Sequence, residues 1–387
     1  MRSGYSTNLA AYIAENVGTL VKFALETCSH NHQMTSSCLP QGETAVKVAI
    51  LCNAKLSGIP MSRFASPSIR GLEILRDCPS FSFYLEHPSG RRVLFDVGVR
   101  KDVSNLSPSL KQRIVDGGWT ASVISEVPEI LENYGISRQS IECVIWSHWH
   151  WDHIGDMSKF PNSTSLVTGP GFSSALLPSF PSRIDSPLLE TDYQGRILRE
   201  IADFETRVGD LPAHDFFGDG SFQLLSTPGH AVGHLAGLAR TTTSSGGTDD
   251  TFILMGGDCC HHMAMLRPSI AYPLPCEISL STIPASTKAT DGFNRVDYGK
   301  GHSKQLLEIS DYPNGESAAL DVQQAKRSLD ELRLLEAQEE RVLFVIAHDK
   351  SLLDVVELFP NLANDWKRKD WGRKARWAFL DEIQMTF

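Results

Sequence analysis

The stretch VIWSHWHWDHIGD (144–156) constrains the fold more than any other part of this chain. It places His148, His150, Asp152, His153 and Asp156 within nine positions, directly behind the apolar run IECVIWS (141–147). A short, fully apolar run of this kind reads as a buried strand, so the polar cluster sits where a strand ends and its loop begins. In such a turn, His148 and His150 at i and i+2 project to the same side and would converge on one cation. Asp152 and His153, on the following turn, would address a second. Ordinary polar loop residues beside Trp149 and Trp151 are the alternative, but four metal-competent side chains in six positions make it a poor one. Nitrogen and oxygen donors without a thiolate suit Zn²⁺, Mn²⁺ or Fe²⁺, with zinc the first expectation.

Other strands end the same way. AVKVAILCNAKLSGIP, from Ala45, reads as a β-branched strand running into a Gly-Pro turn. FSFYLEHPSGRRVLFDVGV reads as a hairpin that turns at Pro88-Ser89-Gly90, and Asp96 closes its second strand. Apolar spacing over ASVISEVPEILENYG (121–135) predicts a helix ending at Gly135. GSFQLLSTPGHAVGHLAGLAR and TFILMGGDCCHH form a second β region separated by the polar tip TTTSSGGTDD. Val322, Ala325, Leu329, Leu332 and Leu335 mark an amphipathic helix, and the strand RVLFVIA then runs straight into His348-Asp349. The pattern is layered and βα-rich, with no internal repeat.

The 387 residues allow a deep core, and 41% hydrophobic with 21% charged residues is the composition of a globular domain. A net charge of −10 gives nucleic acid no reason to bind, and no apolar run reaches the ~18 residues of a membrane span. Eight scattered cysteines suit neither a disulfide framework nor a zinc ribbon, and the N-terminus lacks a secretory pattern; a reducing, cytoplasmic setting is the expectation. Residues 1–44 read as an extension of helix and polar tether, 45–360 as the main domain, and 361–387 as a helical tail packing Trp366, Trp371 and Trp377 on it. The poorly periodic stretch 267–320 is expected to be a lid or substrate segment.

HWHWDH (148–153) resembles the H-x-H-x-D-H signature of the metallo-β-lactamase superfamily, and further elements follow in that family's order. LFDVG (94–98), TPGHAVGH (227–234), GGDCC (256–260) and AHD (347–349) are similar to its other segments, most of all in the lactonase-like branch typified by N-acyl-homoserine lactonases. The resemblance implies an α/β fold, a four-layer αββα sandwich. It also implies a dinuclear zinc hydrolase with two Zn²⁺ per chain: His148, His150 and His230 on one metal, Asp152, His153 and His348 on the other, and Asp258 bridging. A metal-activated water would attack a small cyclic ester or amide, with Asp152 carrying the proton to the leaving atom, in secondary metabolism or xenobiotic detoxification. His261 stands where the homoserine-lactonase group has tyrosine; it, or His262, is a candidate donor to a developing oxyanion.

His234 and Asp96 are candidates for orienting ligands, against plain structural roles. Arg267 is a candidate for steering an anionic or carbonyl group, against a surface salt bridge. The partner implied is a small-molecule substrate, with oligomeric state open. A glyoxalase II-like or acyl-carrier thioesterase, an iron-dependent oxidoreductase and a non-catalytic binding module on the same fold are the competing readings.

Overall fold

A computed structural model describes residues 39–247, 249–274, 303–311, 317–338 and 340–383. The chain divides into two units, Met1–Pro40 and Gln41–Phe387, and every described strand and helix belongs to the second. Most of the expected N-terminal extension and much of the expected lid, 275–302 and 312–316, lie outside the described residues.

Seven strands build the first sheet: β1 (Lys47–Ser57), β2 (Cys78–Glu86), β3 (Arg92–Phe95), β4 (Thr120–Val123), β5 (Cys143–Ile145), β6 (Ser165–Thr168) and β7 (Leu198–Glu200). Their order is β7-β6-β5-β3-β2-β1-β4. The pairs β3-β5, β5-β6 and β6-β7 are parallel, and the rest are antiparallel. Six more strands, β8 (Thr206–Val208), β9 (Leu211–Asp215), β10 (Phe222–Ser226), β11 (Leu235–Thr242), β12 (Thr251–Met255) and β13 (Val342–Val345), make the second sheet in sequential order. Only β12-β13 is parallel there.

Side chains alternate across a strand, so a strand buried at nearly every position must be covered on both faces. β2 and β3 are of this kind. Phe81, Phe83, Leu85, Val93 and Phe95 join one buried cluster with Phe222, Leu224, Ile253 and Met255 of the second sheet. Their neighbours Tyr84 and Leu94 point the other way, into a cluster capped by α2 (Val127–Asn133) and α3 (Phe172–Leu176), which come after α1 (Pro108–Gly117) in the chain. On the far side, α4 (Val322–Glu336) buries Ala325, Leu329, Leu332 and Leu335 and lies against β13. The result is the four-layer αββα sandwich expected from the sequence. α5 (Trp371–Ala375) puts Trp371 and Ala375 into the inter-sheet cluster together with Trp366. Asn364 joins the same region by accepting from the Val48 N–H at 2.9 Å.

The helix expected over 121–135 is shorter than its apolar spacing suggested. Thr120–Val123 is an edge strand, with Leu56 of β1 opposite Ala121. The helix begins only at Val127, where Glu129 accepts the Glu126 N–H at 3.2 Å and Pro128 sits in the first turn. Tertiary pairing with β1 overrides a period that suited either state. Among the described residues no helix is long and apolar enough to cross a membrane.

Candidate metal centre

Four separate pieces of chain deliver the site. β5 ends at Ile145 and releases the turn carrying His148 to His153; β12 and β13 end just before Asp258 and His348. His230 comes from the loop between β10 and β11. Two glycines set these turns. At Gly257 φ is +53°, and a Cβ would lie 3.0 Å from both His234 Nε2 and Ser147 Cβ. At Gly229 φ is +127°, and a Cβ would lie 2.1 Å from the Ala325 backbone nitrogen of α4. Only glycine lets the strand end and the TPGH loop come this close to their neighbours.

Asp258 is the centre of the arrangement. Its Oδ2 lies 3.4 Å from His230 Nε2 and 3.6 Å from His148 Nε2, and its Oδ1 lies 3.0 Å from His348 Nε2 and 3.1 Å from His153 Nε2. His150 Nδ1 is 3.0 Å from His230 Nε2. Asp152 Oδ2 completes the second side, 3.4 Å from His348 Nε2 and 3.9 Å from His153 Nε2. Metal-competent atoms therefore gather as His148, His150, His230 and Asp258 in one group and Asp152, His153 and His348 in another. A third grouping, Asp258, His261 and His348, overlaps both.

The surrounding shell holds these rings by their other nitrogens. Asp96 accepts the Ser147 N–H at 2.7 Å, the Ser147 hydroxyl at 2.8 Å and His153 Nδ1 at 2.8 Å. His348 Nδ1 meets the Pro79 carbonyl at 2.8 Å, and the Ser80 hydroxyl donates to the Asp152 carbonyl. His234 Nδ1 faces the Thr227 carbonyl at 3.0 Å, and its Nε2 accepts the Asp258 N–H at 3.1 Å. His234 thus holds the backbone of Asp258. Ser147, Ser80 and Thr227 were not singled out from sequence. Ser147 and Thr227 stand beside the histidine motifs, whereas Ser80 carried no signal.

Three buried polar atoms, His148 Nε2, His153 Nε2 and Asp258 Oδ1, have no hydrogen-bond partner. Orphaned buried atoms are expensive unless something occupies the point they share. Burial, aided by neighbouring imidazoles, holds His148 and His150 well below the usual histidine range, in the neutral form a metal requires. At His153 burial works against the proton, but the Asp258, Asp96 and Asp152 carboxylates prevail and raise it. Neutral imidazoles on one side, clustered carboxylates on the other and buried atoms left without partners fit a pair of divalent cations.

The remaining expected residues separate. His261 Nε2 lies 3.1 Å from Asp258 Oδ2, its ring stacked 3.7 Å from Phe64, and burial lowers it to about 4. It faces the same cavity as His150 and His348. His262 does not: its Nδ1 accepts the Ala264 N–H at 3.1 Å. Arg267 forms an ion pair with Glu336 and donates to the Arg376 carbonyl; the pair is buried, not at the surface where the sequence reading put it. Asp156, though in the crowded motif, turns to Arg100 at 3.3 Å and to the Ser158 N–H.

Residues 75–240 match the family model described as Metallo-beta-lactamase superfamily. Over 358 residues the chain is 37% identical to gamma-lactamase FDB1 of Fusarium pseudograminearum, covering 89% of this chain and 84% of that one. The chain belongs to the metallo-beta-lactamase superfamily. It is a metal-dependent hydrolase. Metallo-hydrolase mfmC of Annulohypoxylon moriforme is 36% identical over 353 residues, 89% of each chain. In architecture the hydrolase is similar to a B. thuringiensis AiiA variant solved with N-decanoyl-L-homoserine bound at its active site. That likeness has a TM-score of 0.53 at 17% identity, covers 82% of this chain and 99% of that one, and concerns the fold.

Proposed function

We propose that this hydrolase opens a small cyclic ester or amide, a lactone or lactam, at a centre holding two Zn²⁺ ions. The observation that carries the reading is the split of the Asp258 carboxylate, one oxygen toward the His148, His150 and His230 set and the other toward His153 and His348. The similarity to a protein named gamma-lactamase supports the ring-opening class.

His148, His150 and His230 would hold one ion and Asp152, His153 and His348 the other, with Asp258 shared. Divalent cations bound at such donors acidify water and polarise an acyl oxygen. The chain's own contributions are separate from that. Water adds across the acyl bond, and the leaving nitrogen or oxygen must gain a proton. Asp152, whose carboxylate lines the cavity, would carry it. His261, neutral and held flat against Phe64, would donate its N–H to the oxygen that becomes negative. Asp96 and His234 would keep His153 and Asp258 from rotating as charge moves. We also assign the protein to the cytoplasm, on the scattered cysteines, five of which are free thiols among the described residues.

The test combines metal content with turnover. Purified protein should carry about two zinc ions per chain and open γ-lactones or γ-lactams, and His150→Ala should lose ~100-fold or more in kcat/KM. A metal-free protein with full turnover, or a His150→Ala variant as active as the parent, would overturn the proposal.

A further inference from the structure

A cavity of about 290 Å³ opens beside the metal centre, and most of its wall is apolar: Leu56, Ile59, Leu75, Leu110, Trp119 and Trp149. Such walls offer little that would hold a charged or polar group in place. Two guanidinium groups nevertheless line this cavity. The Arg63 and Arg113 Cζ atoms stand 5.4 and 6.0 Å from the centroid of the Trp119 ring.

Arg113 projects from the exposed face of α1 and, among the described residues, makes no hydrogen bond or ion pair. Apart from Asp152 and Asp258 of the centre, the cavity's single lining carboxylate among the described residues is Asp185. Its side chain is 88% exposed and lies 3.9 Å from the Arg183 Nε, which leaves it no part in neutralising Arg113. The helix bearing Arg113 is fixed, since the Ser109 hydroxyl donates to the Ser186 carbonyl at 2.8 Å across the cavity rim. A guanidinium without an ion pair among the described residues, in a chain of net charge −10, runs against the average field of the molecule.

We infer that Arg113 is a specificity-determining anchor for an anionic group, a carboxylate above all, which the cyclic substrate carries away from its scissile bond. The inference rests on the ring-opening reading above and narrows its substrate class. The planar guanidinium presents paired N–H donors that match a carboxylate edge on. The metal centre would then take the ring while the arginine wall takes the tail, fixing the acyl group at two points.

Matched substrates test this: γ-butyrolactones and γ-lactams with side chains of graded length ending in carboxylate, against the same compounds ending in carboxamide. The readout is the carboxylate-to-carboxamide ratio of kcat/KM in the zinc-loaded protein. The parent should favour carboxylate by about tenfold or more, mainly through KM, and added salt should erode the preference. Arg113→Met should bring the ratio toward one, with Arg113→Lys between. A parent ratio near one, or an Arg113→Met ratio equal to the parent's, overturns the anchor while leaving ring opening in place. If neither series is opened at all, the ring-opening reading falls and the anchor with it.

Discussion

Asp96 has a left-handed backbone, φ 59°, which a non-glycine residue keeps only where its surroundings fix it. What fixes it is the set of donors from Ser147 and His153 that converge on its two oxygens. Asparagine tolerates the same backbone, so Asp96→Asn should fold normally while losing the acceptor that orients His153. Metal affinity should fall by ~10–100-fold, read by competition with a chromophoric chelator, and an unchanged affinity would show that Asp96 serves only the turn. Much of the centre was legible at this scale. His148, His150, Asp152 and His153 share one turn, and Asp258 and His348 repeat the pattern of a strand running into a polar residue. Adjacency failed for Asp156, which has the right chemistry but a nearer partner in Arg100. Arg113, Trp119 and Phe64 reach the cavity from segments whose local sequence says nothing of a site.

Elements meet at the site through the TPGH loop and α4. The Asp321 side chain caps α4 by accepting the Gln324 N–H at 2.9 Å, its own N–H donates to the Gly229 carbonyl, and the Ser328 hydroxyl donates to the Pro228 carbonyl at 2.7 Å. The helix is thereby a brace for His230. Gly229→Ala would set a methyl group where the Ala325 backbone already stands, on a backbone that disfavours any side chain. It should cost at least ~2 kcal/mol in denaturant unfolding and reduce bound metal toward one ion per chain. A variant as stable as the parent with both ions retained would contradict the brace. The helix itself was legible from its 3.6-residue period. The strand Thr120–Val123 was not, because its identity comes from an edge of β1 some sixty positions earlier.

Across the whole molecule, burial governs charge as well as apolar packing, and Asp192 shows how. The family resemblance implied a layered sandwich, but nothing in the sequence marked which carboxylates the layers would enclose. Burial drives Asp192 up to about 7, outweighing the Leu189 backbone bond and the nearby Arg100, which pull the other way. An ordinary aspartate titrates near 3.9, so between these values the folded chain binds a proton that the unfolded chain has released. Folding stability contributed by this group is therefore intact at low pH and is lost as pH rises toward and through 7. The gap corresponds to ~4 kcal/mol at most. Asp192→Asn removes the titration and keeps an acceptor for the Leu189 N–H, 3.0 Å away in the parent. The variant should match the parent near pH 3 and exceed it by a few kcal/mol near pH 8 in parallel denaturant titrations. All other titrating groups are common to both proteins and cancel in that difference. A gap that stayed constant from acid to alkaline pH would mean that Asp192 is ionised in the fold throughout, its charge neutralised by Arg100 and Arg196 after all.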